Sequence, residues 1–486
     1  MTTGTGSNIS KAYDPAMVEE RIYKFWLDNC LFNTKVDRAR APFVVIQPPP
    51  NVTGELHIGR AMPAAIEDTL TRWHRMLGDP TLWLPGKDHA GIATQVVVEK
   101  QLSDEGLSRY DVGRQEFINR VKRWVETAGS TIDGQHKRLG VSMDWSRLRY
   151  TLDSGPSRAV VTTFVNLFKK GLIYRGERII NWCCRCQTAL SDLEVDHQDI
   201  QGQLYYIKYP LKEGGSVVVA TTRPETMLGD TAVAVSPDDS RYQHLVGQEI
   251  VLPIAGRILR IIADSEIDPE FGTGAVKVTP AHDPIDFEIG QRNNLETINV
   301  IGYDGVFTED AGSYGGMDVI EVRKSVIKEL EKLNLIEKVV THQHSVGHCQ
   351  RCKSVIEPLV SVQWWVKSKP LAAPAIQAVE SGRTKIVPER FKKIYLHWMN
   401  NIRDWCISRQ LWWGHRIPVW YCVDCDGDKI HISFKGYRGD LGTAVLNGHE
   451  LSEVDDRIEM SLISTDAQPI VSLSNPGSCP NCNGRN

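Results

Sequence analysis

Four C-x-x-C pairs constrain this chain more than any other feature. They stand at Cys183/Cys186, Cys349/Cys352, Cys422/Cys425 and Cys479/Cys482, and they use eight of the eleven cysteines. Each pair is a thiolate knuckle, and a tetrahedral zinc ion takes two knuckles. The natural pairing joins the first two pairs across a long intervening stretch and the last two across a loop, for about two structural zinc ions. Buried free thiols or a redox pair are the plainer alternatives. Cys184, inside the first knuckle, competes as a ligand, while Cys30 and Cys406 have no partner nearby and read as small apolar residues.

If the first two pairs meet, everything between them must leave one point and return to it. The texture of that stretch is β. Short Val/Ile-rich runs (LYYIKYPL, SVVVATTRPE, EIVLPIAG, RILRIIAD, GAVKVTP) alternate with turn signals, which predicts a closed β domain over residues 195–343. On either side the texture is helix and loop, so a β module is inserted into an α/β domain made of residues 1–194 and 344–420. Residues 421–486 hold the second cysteine module.

The α/β part opens with a predicted helix from 10 to about 35, its stripe formed by Val18, Ile22, Phe25, Trp26 and Phe32. The stretch FVVIQPPPNVTGELHIGR, Phe43 to Arg60, then reads as a buried strand halted by prolines, a loop, and a helix with Ile58, Met62, Ile66 and Leu70 at helical spacing. Such a unit offers the free N–H groups of a helix start to an anion, with His57 beside it. Neither GxxxxGK[ST] nor a GxGxxG after a strand occurs, so ordinary P-loop and dinucleotide sites lose their support. A second strand in TLWLPGKDHAGIATQ ends at Asp88, and residues 112 to 172 read as helical.

A net charge of -4 gives no global attraction to nucleic acid, which leaves only local patches such as Arg390 to Lys393. No apolar run approaches the roughly 18 residues of a membrane span, and the start lacks a signal-peptide core, so no membrane partner and a cytoplasmic location are expected.

These motifs resemble one family, the class I aminoacyl-tRNA synthetases, and most closely its valine-specific members. PPPNVTGELHIG looks like their HIGH signature and GKDHAGIATQ like their GTDHAGIATQ. TTRPETMLGDTAVAV, GTGAVKVTPAHDPIDFEIG, CQRCKSVIEPLVSVQWWVK and DWCISRQLWWGHRIPVWYC match in order. The resemblance implies an incomplete Rossmann-type nucleotide-binding domain with an inserted β-barrel editing domain and two zinc-knuckle modules. It implies ATP with Mg2+, valine and tRNA-Val as substrates, and a monomer. His57, Gly59 and Arg60 would bind ATP, with His57 and Arg60 acting in catalysis, and Asn51 and Asp88 would hold valine. Arg60 stands where the signature has a second histidine, and Lys87 where it has threonine. VKSKPLA, from Val366, matches an upstream family segment and not the KMSKS loop. That loop and an anticodon-binding domain would belong to a further C-terminal half, so weak or absent synthesis is expected of these 486 residues alone.

A valine pocket rejects threonine only about a hundredfold, a figure known from the valine enzymes themselves, so a second, hydrolytic site is needed. By position, the resemblance assigns that site Arg223, Thr226, Lys277, Thr279, Asp283 and Asp286. Asp283 would hold the substrate α-amino group, Lys277 and Thr279 would orient water or polarise the ester, and Asp286 would help to position the threonine side chain. A freestanding hydrolase of threonyl-tRNA and a zinc-dependent tRNA-binding module are the alternative readings.

Overall fold

A computed structural model describes residues 12–436, 439–445, 455, 457–463 and 466–485. The described residues form two compact units, one drawn from 12–163, 411–416, 455 and 457–458, the other from 164–410, 417–436, 439–445, 459–463 and 466–485. None of the described helices is long and apolar enough to cross a membrane.

In the first unit the predicted strand is Phe43–Ile46, paired in parallel with Thr81–Leu84. Parallel partners need a crossover, and helix Ile58–Met76 supplies it. It packs Ala64 into a cluster with Trp83, Val141, Met143 and Val45. The apolar residues expected to face the core do otherwise. Ile58, Met62, Ile66 and Leu70 are 87, 68, 53 and 43% exposed, and the helix buries Ala64 and Thr71 instead. Their spacing is helical, but no described element of this unit covers that face.

The first helix is shorter than predicted, Pro15–Asp28. Asp14 caps it by accepting from the Ala16 N–H, and Pro15 suits the first turn. Phe32 lies beyond its end, where its ring meets Tyr23 and Trp26. The long helical reading is also broken. Helix Arg109–Arg138 starts at a Ser108/Asp111 capping box and stops just before Gly140, whose φ of +76° favours glycine. The short strand Arg149–Tyr150 intervenes and pairs with Gly86–Lys87 before helix Ser154–Lys169 begins. Val98 and Leu102 of helix Gly91–Asp104 meet Phe117 and Val121, and Trp412 and Trp413 complete that core.

In the second unit, strand Val195–Pro210 runs antiparallel to Ile336–Cys349, in register from Val195↔Cys349 to Tyr206↔Lys338, with a bulge at Glu337 before the Ile207↔Ile336 pair. This ribbon carries the chain away from the first knuckle and back to the second. The strands beyond it are divided between two sheets, which the Leu211↔Ile250 bridge joins along one side. Ser216–Thr221 extends the ribbon, and Ala232–Val235, Glu249–Val251, Ile258–Ala263 and Ala275–Val278 make a separate four-stranded sheet. Ser216–Thr221 and Ala275–Val278 lie side by side without a ladder. The two sheets share one core, in which Ile207, Tyr209, Val217 and Val219 meet Val233, Val235, Ile250 and Ile261. At the base of the ribbon Ile173–Cys183 pairs with Glu357–Val366, flanked by Thr188–Leu190 and Trp405–Cys406.

Candidate functional site

The cysteine clusters form as the spacing requires. Cys183, Cys186, Cys349 and Cys352 bring their Sγ atoms within 4.8 Å of one another, and so do Cys422, Cys425, Cys479 and Cys482. A tetrahedral zinc with Zn–S of about 2.3 Å has S···S edges of about 3.8 Å. The Cys183–Cys352, Cys422–Cys482 and Cys425–Cys479 separations are 3.4, 3.6 and 3.8 Å, so both sets fit the ion. The knuckles are built locally. Gln187, Lys353 and Asn483 each follow the second cysteine of a pair with φ of 54°, 64° and 60°. Each donates its N–H to the carbonyl of the first cysteine of its pair, at 2.7, 2.8 and 2.9 Å. The Cys186 N–H also points at Cys183 Sγ, 3.3 Å away, as suits a thiolate. Hydrogen bonds from Cys183 and Cys186 push the Cys349 and Cys352 thiols down toward the thiolate form. Cys184 is not in the cluster; it packs against the β core. Cys406 is buried as expected, but Cys30 is exposed at the end of the first helix.

In the first unit the proposed valine ligands come together. Asn51 and Asp88 are partners in a parallel bridge, with Asp88 N–H donating to Pro50 O at 2.9 Å and Val52 N–H to Asp88 O at 3.2 Å. Both follow the carboxyl ends of paired parallel strands, where ligands of open α/β sheets bind. Asp88 Oδ1 accepts from the Ala90 N–H and from Thr151 Oγ1. The adjoining His89 holds the Asp88 carboxyl below the usual carboxylate range. His89 Nδ1 is 2.6 Å from Thr151 Oγ1, and its ring meets His415 edge-on at 5.2 Å. Trp413 Nε1 donates to His89 O. Thr151, Trp413 and His415 are distant in sequence, and no short motif marked them as neighbours of Asp88.

His57, Gly59 and Arg60 share the start of helix Ile58–Met76, where His57 is the N-cap residue and no side chain caps the free amides. A Cβ on Gly59 would stand 2.9 Å from His57 Nδ1, so glycine is what lets that ring lie against the first turn. None of the hydrogen bonds of these three residues, among the described residues, reaches Asn51 or Asp88. Lys87 is drawn elsewhere. Its Nζ lies 2.9 Å from Asp133 Oδ2 and 3.4 Å from Gly129 O, both on helix Arg109–Arg138.

In the second unit the six residues assigned to hydrolysis fall into a buried polar cluster and its margin. Lys277 Nζ donates to Thr226 Oγ1 at 2.9 Å and to Thr279 Oγ1, and it pairs with Asp230 Oδ1 at 3.2 Å. Thr279 Oγ1 donates to Asp230 Oδ1 at 2.6 Å, and its N–H donates to Asp286 Oδ2 at 2.8 Å. Burial, with the neighbouring Asp283 charge, pushes the Asp286 carboxyl up to about 7. Asp283 is exposed and caps helix Pro284–Asn293, and its Oδ1 takes both cap bonds, from the Ile285 and Asp286 N–H groups. Arg223 is held by Glu225 at 3.1 Å and Glu357 at 2.5 Å, and Arg323 grips the same Glu225 from another helix. Asp230 lies in the TTRPETMLGDTAVAV string, where no role was assigned to it.

The tRNA synthetases class I (I, L, M and V) family model matches residues 21–440, and the chain belongs to that family. Its relatives are narrower in kind. It is 58% identical over 415 residues to the valine--tRNA ligase of Dehalococcoides mccartyi strain 195, covering 85% of this chain and 47% of that protein. The Carboxydothermus hydrogenoformans valine--tRNA ligase is 55% identical over 86% of this chain and 48% of its own length. That of Bdellovibrio bacteriovorus is 53% identical over 87% and 47%. The chain spans about half the length of the curated relatives it matches.

Proposed function

We propose that these residues form the N-terminal portion of a valine–tRNA ligase, which activates valine with ATP and transfers it to tRNA-Val. The carrying observation is the Asn51↔Asp88 bridge at the strand ends, in a chain whose relatives at 52–58% identity are valine--tRNA ligases. Asp88, held ionised by His89, suits a substrate α-ammonium, and Asn51 borders the same place. ATP would lie at the start of helix Ile58–Met76, where His57, Arg60 and the free amides meet charge growing on the α-phosphate. Magnesium would neutralise part of the phosphate charge. Arg60 in place of histidine keeps a strong phosphate donor there. The test is valine-dependent exchange of pyrophosphate into ATP. Asp88→Asn should lower kcat/KM for valine by roughly a hundredfold, the scale of a lost charge-assisted bond of about 3 kcal/mol. Wild-type exchange by that variant would overturn the assignment.

For the second unit we infer hydrolysis of threonyl-tRNA at the Lys277 cluster, with two zinc ions holding the base of the ribbon and the C-terminal module. Every member of the cluster lies in one unit, and the chemistry needs only the ester and water. That containment also favours a second reading, a freestanding threonyl-tRNA hydrolase. Exchange and deacylation assays on the same preparation test the second reading, because any valine-dependent exchange above background excludes it.

A further inference from the structure

Between Ser381 and Arg403 of the second unit stand six lysines and arginines and one acid, Glu389, a local charge of +5 in a chain of -4. Half of the six lie on helix Arg390–Asn400, RFKKIYLHWMN, which has no acidic residue and no fully buried one. Of the six, among the described residues, only Arg403 comes within ion-pair distance of a carboxylate, that of Glu288 at 3.9 Å. The helix packs beside Ser368–Glu380, and its Lys392, Tyr395, Leu396 and Met399 are partly buried.

The rest of the helix carries two adjacent stripes, each at the i, i+3, i+7 spacing that puts residues on one side. Phe391, Ile394 and Trp398 are 44, 55 and 58% exposed, and Arg390, Lys393 and His397, each one position earlier, are exposed as well. The Arg390 guanidinium lies 5.1 Å from the centre of the Phe391 ring. Cations and flat rings therefore share one open surface. A helix that lies on a membrane keeps its cations on the face opposite its apolar one, and the centre of a protein interface is depleted of lysine. RNA asks for the mixture, because its phosphates need cations while its unpaired bases stack on aromatic rings.

We propose that the exposed face of helix Arg390–Asn400 is a docking surface for an unpaired stretch of tRNA, with phosphates on Arg390 and Lys393 and a base stacked on Trp398. This rests on the reading of the chain as an enzyme that works on tRNA. Phe391 serves the surface by holding the Arg390 guanidinium flat against its ring, which leaves the Trp398 indole as the open stacking platform. The patch also answers a difficulty of the whole chain, whose net charge of -4 offers a polyanion no general attraction.

The experiment measures binding of labelled tRNA-Val and of a short oligouridylate by the whole chain over a series of salt concentrations, beside valine-dependent pyrophosphate exchange. Trp398→Ala should weaken both RNAs roughly tenfold without changing the salt dependence, and Trp398→Phe should restore most of the loss. Arg390→Gln with Lys393→Gln should weaken both RNAs and lower the slope of log K against log salt by about 1.4, the value for two phosphates of a single strand. Exchange needs no tRNA and should be the same in every variant. Variants with wild-type circular dichroism and zinc content that bind both RNAs as the wild type does would overturn the proposal. So would a Trp398→Ala chain that passes from dimer to monomer, or that loses binding to phosphatidylserine vesicles, because the face would then belong to a second copy or to a membrane. Exchange without RNA binding overturns the surface alone. RNA binding that only the helix variants lose, with exchange absent throughout, upholds the surface and counts against the ligase reading.

Discussion

Helix Ile58–Met76 of the first unit and strand Ile258–Ala263 of the second were written in the same aliphatic alphabet, yet they end differently. Ile58 and Ile66 stand 87 and 53% exposed, whereas Ile261 is 1% exposed between two sheets. The polar sites differ in the same sense. Asp88 sits among partly exposed neighbours, whereas the Lys277 cluster is sealed and hydrogen-bonded inward. Apolar periodicity thus reports which residues want cover. Burial requires a second element in the right place, and only the two-sheet core has one.

Zinc removal gives the largest test, because a structural zinc site of four thiolates contributes on the order of 10 kcal/mol. Chelation should unfold the ribbon base of the second unit well before the first unit, as followed by hydrogen exchange. Cys183→Ser should cut metal content from about two ions to about one, while Cys184→Ser should leave it unchanged. Equal loss from both would erase the distinction between those adjacent cysteines.

The next effect is a pH slope confined to the second unit. Asp286 is raised to about 7, so the native state keeps a proton that the unfolded chain loses near pH 4. Its contribution to stability is full below about pH 4 and is lost as pH rises to about 7, at most about 4 kcal/mol over that window. Asp286→Asn should flatten the slope in urea unfolding at pH 4.5 and 7.5. A variant as steep as wild type would place the titration elsewhere.

Matched truncations sharpen the contrast directly. Ile261→Ala should cost about 3 kcal/mol through lost burial and a cavity. Ile66→Ala, of the same chemistry, should cost less than about 0.5 kcal/mol in these 486 residues. Equal costs would mean that the helix face is covered in solution. The smallest effect is at Lys87. Its half-buried pair with Asp133 should be worth about 1 kcal/mol, so Lys87→Thr should lower stability slightly without changing the KM for valine. A large change in KM would bring Lys87 back to the substrate.

What the sequence by itself determined is local. C-x-x-C spacing with left-handed residues after the second cysteine specifies a knuckle within a few residues, as at Cys183–Gln187 and Cys349–Lys353. The proline-terminated strand at Phe43 was likewise legible, because it depends on neighbours a few positions away, whereas Gly59, Asp88 and Lys277 were marked only by the resemblance of their motifs. Tertiary structure decided the remainder. It set Cys184 outside the cluster, divided the β module's strands between two sheets, left Ile58, Met62 and Ile66 uncovered, and put Thr151 and His415 beside the Asp88–His89 pair. It also gathered Lys277, Thr279 and Tyr209 around Asp230, a residue to which the sequence had assigned no role. Burial and hydrogen-bond direction are set by atoms that chain folding brings from far positions, and no window of sequence contains both partners of such a contact.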